Sequence, residues 1–159
     1  MEGGTATVEQ RLQGLRKLAL NGYPVGIVIA PIMAILPSTV PITGERTLRP
    51  HLTPATDCLA NWQHHYTKLF DQIEQALNID CDLTFELITH RFTPKSKEVL
   101  QTWYPNSKLD LDENNRSQKR NKFGGVKYVY ERDTMSELKE LIQTEIEARF
   151  SNAKILYWT

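Results

Sequence analysis

The stretch Val25-Gly26-Ile27-Val28-Ile29-Ala30 decides the fold class of this sequence. It is almost wholly apolar and rich in β-branched residues, the pattern of a strand buried on both faces, and such strands belong to parallel sheets. A helix is predicted just before it, over residues 8–20. Thr7 and Gln10 have the spacing of a capping box there, and apolar residues follow at helical intervals. A helix that leads into a buried strand indicates that the sequence starts inside a larger α/β repeat.

The rest of the sequence alternates between helix and strand. Helices are predicted over 59–77, from the N-cap Thr93 to Tyr104, and from the N-cap Thr134 to Ile146; strands over 83–89 and 153–158; one or two exposed helical turns over 112–120. The Gly-Gly between aromatic and β-branched residues at 123–130 is a hairpin signal. This alternation predicts an α/β fold with a mostly parallel sheet, and the chain is treated as one region, 1–159.

Residues 33–58 differ from the rest. Five of the eight prolines lie between Pro31 and Pro54, and no hydrophobic period is visible. This composition predicts a long loop or a Pro-rich insertion, which is uncommon in a compact domain.

Composition limits the function classes. Apolar residues make up 40% and charged residues 24%, as in ordinary globular proteins, and the formal net charge is zero. A nucleic-acid role must therefore depend on a local basic patch. Cys58 and Cys81 are too far apart for a short ligand motif, and the longest apolar run, 25–36, is too short to span a bilayer. The first residues have no signal-peptide pattern, so the prediction is a cytoplasmic protein with no membrane contact.

Two candidate sites follow predicted strands. Ala30-Pro31 ends the first strand, where a small residue lets a ligand approach the backbone; a plain buried strand stopped by proline is the alternative. At the end of the second strand, Arg91 can bind a phosphate and His90 can titrate near neutrality. The alternative there is local pairing with carboxylates.

The third candidate is a cationic segment free of acidic residues between Asn114 and Tyr130. Its cations alternate with aromatic residues, the usual equipment for contacting phosphates and stacking on bases. The cations are Arg116, Lys119, Arg120, Lys122 and Lys127, and the aromatic residues are Phe123, Tyr128 and Tyr130. The alternative is a solvated charged loop beside a hairpin whose aromatic side chains pack on the core.

Six motifs, in order, resemble the C-terminal half of spore photoproduct lyases: G-Y-P-V-G-x-x-I-A-P-I from Gly22, W-x-x-x-Y-x-x-L-F, T-F-E-L-I-x-H-R-F-T, Y-P-x-x-x-L-x-L-D-E, K-Y-V-Y and a final A-K-I-x-Y-x-T. The resemblance implies half of a partial (β/α) barrel of the radical S-adenosylmethionine type, with an added β-hairpin and a C-terminal helix and strand. In that family a 4Fe–4S cluster cleaves S-adenosylmethionine, and the resulting radical starts the reversion of the thymine dimer spore photoproduct in DNA to two thymines. A cysteine supplies hydrogen.

The resemblance also implies roles for single residues. Ala30 matches a position lining the S-adenosylmethionine site, and 119–131 matches a DNA-facing hairpin. In that hairpin Lys122-Phe123 replaces an Arg-Tyr pair and Lys127 matches a lysine. Lys122 keeps the charge but loses the bidentate fork of arginine, and Phe123 keeps a stacking face but loses the hydroxyl. With Arg120 and Arg91, these residues form the predicted DNA-binding set.

The sequence departs from the family in its cysteines. The family motif C-x-x-x-C-x-x-C and the hydrogen-donating cysteine are absent, so no residue of this chain is predicted to be catalytic and no metal ligand is assigned. Chemistry would require an N-terminal half that carries the cluster. The alternatives are a stand-alone DNA-binding module and a non-functional gene remnant.

Overall fold

The computed structural model describes residues 4–34, 62–107 and 109–159. The predicted Pro-rich segment 33–58 falls almost entirely outside these ranges, as do Cys58 and the start of the second predicted helix. The elements are α1 (Val8–Leu20), β1 (Val25–Ile32), α2 (Trp62–Ala76), β2 (Leu83–Thr89), α3 (Pro94–Trp103), a 3-10 turn (Glu113–Asn115), β3 (Arg116–Arg120), β4 (Val126–Tyr130), α4 (Arg132–Arg149) and β5 (Lys154–Trp158).

The predicted α/β fold with a parallel sheet is confirmed. Three strands form a sheet in the order β1-β2-β5, and both pairings are parallel. Helices α1 and α2 connect to β1 and β2, and α4 leads into β5. Strands β3 and β4 form a separate antiparallel hairpin between α3 and α4.

One face of the sheet is covered by helices. Phe85 on β2 is fully buried and packs against Phe70 of α2, with ring centroids 6.2 Å apart, and against Phe150 at 5.7 Å. Leu138 and Ile142 of α4 are also fully buried and complete this core. The apolar period of the last helix therefore predicted its buried face correctly.

Several local signals act as predicted. Thr7 and Gln10 form the capping box of α1, and Thr93 caps α3 with Pro94 in its first turn. The interpretation of Thr134 as an N-cap is wrong, because α4 begins at Arg132 directly after β4. The end of the strand fixes where this helix starts, and its N-cap Glu131 makes no side-chain cap hydrogen bond.

Two further predictions are corrected. Strand β1 is not buried on both faces among the described residues, since Val28 is 59% exposed and Ala30 is exposed. The strand also continues past Ala30 to Ile32, through a cis Ala30–Pro31 peptide. The segment 112–120 forms a single 3-10 turn and then strand β3, because pairing with β4 satisfies its backbone.

Helix α3 carries its predicted apolar residues on an uncovered side. Val99 is 44% exposed and Trp103 is 72% exposed, and no residue of the helix is buried. Among the described residues, no helix is long and apolar enough to cross a membrane.

Candidate functional site

The hairpin turn is held by one asparagine side chain. The Oδ1 atom of Asn121 accepts hydrogen bonds from the backbone N–H groups of Phe123 at 2.9 Å and Gly125 at 2.8 Å. Gly124 has φ +80°, a left-handed conformation that glycine adopts without steric cost. The Gly-Gly signal therefore marks a real turn, and Asn121 fixes the backbone on both sides of Gly124.

The tip of the hairpin presents a cation and an aromatic ring together. Phe123 is 84% exposed, the highest value among the exposed large hydrophobic side chains of the described residues. The Nζ atom of Lys122 lies 4.9 Å from the centroid of the Phe123 ring, within the range of a cation–π contact. A large ring held in water by a fixed turn is available to stack on a flat, apolar ligand.

Besides Arg116, four predicted cations lie on the hairpin. Lys119 is directly opposite Lys127 in the antiparallel register, and Arg120 and Lys122 follow Lys119 towards the tip. Like charges directly opposite each other on a sheet repel. None of the four takes part in an ion pair among the described residues. The hairpin thus concentrates positive charge that an anionic ligand would neutralise.

The base of the hairpin is anchored to the loop after β2. Phe92 and Tyr128 exchange two backbone hydrogen bonds, of 3.1 and 2.7 Å, and their rings stack with centroids 5.3 Å apart. Arg91, which is exposed, directly precedes Phe92 in the sequence. Lys127 directly precedes Tyr128. The structure therefore brings the two predicted cations Arg91 and Lys127 to the same junction.

Arg116 is the buried cation of this junction. Its side chain is 1% exposed, and its guanidinium carbon lies 3.7 Å from the centroid of Tyr130 and 5.7 Å from that of Phe92. Its Nη2 donates to the backbone oxygen of Asp110 at 3.3 Å, while Nε and Nη1 have no partner. The prediction that Arg116 belongs to the exposed cationic set is therefore wrong; it locks the hairpin to the core.

His90 lies in the same aromatic cluster and is buried. Its ring centroid is 6.0 Å from Phe92 and 6.5 Å from Tyr130, and its Nδ1 has no hydrogen-bond partner. Burial, and next the positive charge of Arg116, lower the pKa of His90 from its ordinary value of 6.5. The side chain therefore stays neutral at pH 7 and does not act as an exposed phosphate ligand.

Ala30 lies on the face of the sheet that the helices leave uncovered. It alternates with Val28, whose register partner on β2 is the exposed Glu86. A groove of about 450 Å³ runs along β1 between that strand and helices α1 and α2, and Ala30 and Tyr66 are among its lining residues. Ala30 is exposed among the described residues, and its role in binding a small molecule stays a prediction.

The sequence of this chain matches a known protein family. The family model described as spore photoproduct lyase matches residues 52–159, more than half of the sequence. This chain belongs to the spore photoproduct lyase family.

Curated relatives and solved structures agree with this assignment. The spore photoproduct lyases of Bacillus subtilis (strain 168) and Geobacillus sp. (strain Y412MC61) are 36% and 37% identical to it over 160 residues. These matches cover 99% of this chain and 40% of each relative. A solved spore photoproduct lyase complexed with dinucleoside spore photoproduct superposes with a TM-score of 0.76 at 34% identity, covering 99% of this chain and 40% of that one. A mutant with bound AdoMet and the dinucleoside gives 0.75 at 35% identity, covering 98% and 39%.

The described residues do not fit an iron–sulfur cluster. No group of three or more His, Cys, Asp or Glu side chains among them is placed to hold a metal ion. Cys81 is a free thiol whose pKa is raised, first by burial and then by the neighbouring carboxylates. The sequence has only two cysteines in all, whereas such a cluster is held by several thiolates.

Sequence reasoning missed the role of Asn121 and the burial of Arg116. Asn121 has a recognisable signal, because asparagine before a glycine turn commonly bonds the backbone two residues ahead. The burial of Arg116 has no local signal, since it depends on Tyr130 and Phe92 meeting from distant parts of the sequence.

Proposed function

We propose that this chain is the lesion-contacting part of a spore photoproduct lyase, the radical S-adenosylmethionine enzyme that reverts the spore photoproduct in DNA to two thymines. One observation carries the proposal: an exposed, unpaired cationic hairpin with an aromatic tip, on a fold that superposes with lyases holding the dinucleoside lesion. The chain spans about 40% of the curated relatives it matches, and the reaction is proposed to need the cluster-bearing part of the enzyme that those relatives have outside the matched region.

Phosphate contact is the first step. Lys119 and Lys127 face each other across the hairpin, so a phosphate between or beside them relieves their repulsion. Arg120 continues this positive track towards the tip, and Arg91 extends it at the base. Binding through such contacts releases counterions from DNA and therefore weakens steeply with salt.

Contact with the lesion is the second step, and Phe123 is the residue proposed to make it. A ring that is 84% exposed gains by stacking on a base or wedging into a base step. Lys122, held over that ring, brings its charge to the adjacent phosphate. Enzymes acting on a base generally take it out of the stack, and a rigid aromatic wedge at a hairpin tip suits that task.

The second component is proposed to be the cluster-bearing N-terminal half, which pairs with β1. Within the described residues β1 is an edge strand whose outer backbone groups have no strand partner, and it exposes Val28 on its open face. A cytoplasmic location belongs to the same proposal, because DNA is the proposed ligand.

Reconstitution tests the proposal. This chain is mixed, under reducing and anaerobic conditions, with the part of the Bacillus subtilis relative that it does not match. We expect a stoichiometric complex that binds iron and S-adenosylmethionine and reverts the dinucleoside spore photoproduct, while neither component alone does so. A well-folded, iron-loaded complex without lesion reversal contradicts the proposal.

A stand-alone DNA-binding module is the second candidate, because the strands, turn and anchor of the hairpin all lie between Arg91 and Tyr130. This candidate predicts salt-sensitive binding of duplex DNA by the chain alone. Lys122→Ala and Lys127→Ala should each reduce the salt slope by about 1. Lys139→Ala, an exposed lysine on α4, is the matched control. A folded chain without DNA affinity at low salt rules this candidate out, and a chain that does not fold alone favours a remnant.

A further inference from the structure

The uncovered face of the sheet carries a carboxylate on its middle strand. The register aligns Val28 of β1, Glu86 of β2 and Tyr157 of β5 in one row. Residues in register on neighbouring parallel strands point to the same face. The pairing with β5 shifts between Phe85 and Glu86, but Tyr157 still points to the open face, because the next residue, Trp158, packs on the core opposite Leu87. Val28 is 59% exposed, Tyr157 is 47% exposed, and Glu86 is exposed between them.

The two faces of β2 differ in polarity. Phe85 and Leu87, the neighbours of Glu86, point to the helices and are fully buried. Parallel sheets are normally covered by apolar layers on both faces, and their strands are then apolar throughout. β2 instead alternates, and Thr84 and Glu86 stand on its open face. An apolar layer over Glu86 would bury an unpaired charge, which is strongly unfavourable. The sequence of β2 therefore suits a face that meets a polar ligand.

Glu86 has no ion pair or hydrogen bond from its side chain within the described ranges. An ionised carboxylate only accepts hydrogen bonds, so its partner must bring N–H or O–H donors or a positive charge. Tyr157 places a hydroxyl-bearing ring one strand away, about 5 Å across the sheet. On the other side, Ala30 on β1 is small and exposed among the described residues.

We propose that Glu86 binds S-adenosylmethionine on this face, accepting hydrogen bonds from its ammonium or ribose donors, with Tyr157 beside it. This inference rests on the proposed function and adds two ligand-binding residues to it. S-adenosylmethionine carries a sulfonium and an ammonium charge together with a ribose diol, which matches an acceptor carboxylate. The phosphates of DNA are anionic and are repelled by Glu86. Ala30 lies on the same face of β1, about 8 Å from Glu86 along and across the strands.

The test uses the iron-loaded complex of this chain with the unmatched part of the Bacillus subtilis relative. Dissociation constants are measured by equilibrium dialysis for S-adenosylmethionine, for S-adenosylhomocysteine, which lacks the sulfonium charge, and for the dinucleoside lesion. The variants are Glu86→Gln, Tyr157→Phe and the control Glu140→Gln, an exposed carboxylate on α4. Thermal unfolding and iron content establish that each variant is assembled.

We expect Glu86→Gln to weaken the binding of S-adenosylmethionine and of S-adenosylhomocysteine by about tenfold each, because both ligands carry the ammonium and ribose donors that Glu86 would accept from. Tyr157→Phe should weaken it about threefold to fivefold. Affinity for the lesion should change by less than about twofold, and Glu140→Gln should match the wild type.

Two results would overturn the inference. One is a Glu86→Gln complex whose S-adenosylmethionine affinity stays within about twofold of the wild type. The other is a loss confined to lesion affinity, which would assign Glu86 to the substrate instead. If the wild-type complex neither assembles nor binds S-adenosylmethionine, the proposed function fails first, and that outcome is distinct from an effect of Glu86 alone.

Discussion

The hairpin and the three-stranded sheet differ in how much of their surroundings this chain supplies. Both strands of the hairpin, its Asn121 turn and its Arg116 anchor lie within one continuous stretch of the sequence. The sheet has one covered face, built on Phe85, and one open face, where Val28 and Glu86 meet solvent. The hairpin is therefore held by contacts within one stretch of the sequence, whereas one face of the sheet stays open among the described residues.

The largest expected effect concerns the covered face. Phe85→Ala should lower the free energy of unfolding by about 3–5 kcal/mol, because it leaves a cavity beside Phe70 and Phe150. Urea denaturation monitored by circular dichroism measures this loss. Val99→Ala on the exposed side of α3 is the control and should change stability by less than about 0.5 kcal/mol. Equal effects of the two substitutions would show that the sheet is not covered as described.

The next effect concerns the anchor of the hairpin. Arg116→Ala removes the guanidinium that contacts Phe92 in the loop after β2 and Tyr130 in β4, and it should weaken hairpin docking by about 2 kcal/mol. The amide of Tyr128, which donates to Phe92 at 2.7 Å, should then exchange with solvent roughly 30-fold faster. Hydrogen exchange by NMR measures this rate, with the exposed Arg120→Ala as the control.

Arg116→Met separates the packing contribution of the Arg116 side chain from that of its charged donors. Methionine keeps an apolar stem between the rings and removes the Nε and Nη1 donors that have no partner. It should therefore loosen the hairpin less than Arg116→Ala does. If both variants leave the Tyr128 amide as protected as in the wild type, Arg116 does not anchor the hairpin.

A smaller effect is expected from pH. The lowered pKa of His90 means that the folded protein binds fewer protons than the unfolded chain below the ordinary value of 6.5. Stability should thus fall as pH drops through 6.5 and level off below the folded pKa. Arg116 favours the neutral ring, and Asp110 opposes that effect. Urea midpoints at pH 7.5 and 5.5 should differ less in His90→Gln than in the wild type.

The elements that sequence patterns predicted are those whose causes are local. β2 was predicted residue for residue over Leu83–Thr89, because its bounds follow from its own apolar run. The caps at Thr7 and Thr93 depend on residues three positions away. The order of the elements and the parallel sheet follow from the alternation of these segments.

The features that were missed depend on distant parts of the sequence or on surfaces that the described residues do not cover. Arg116 resembles its exposed neighbours in the sequence and is buried only because Tyr130 and Phe92 enclose it. Thr134 has good cap spacing, yet the end of β4 starts α4 earlier. The exposure of Val28 contradicts an apolar strand pattern because no described residue covers that side of β1.

The most direct test of the central claim is lesion preference at the hairpin tip. Fluorescence anisotropy compares a duplex that contains one spore photoproduct with the undamaged duplex, using the reconstituted complex with wild-type chain or with Phe123→Ala. The wild-type complex should prefer the damaged duplex, and Phe123→Ala should lose about 1–3 kcal/mol of binding free energy for it and most of that preference. An unchanged preference in the Phe123→Ala complex would contradict the claim that this hairpin contacts the lesion.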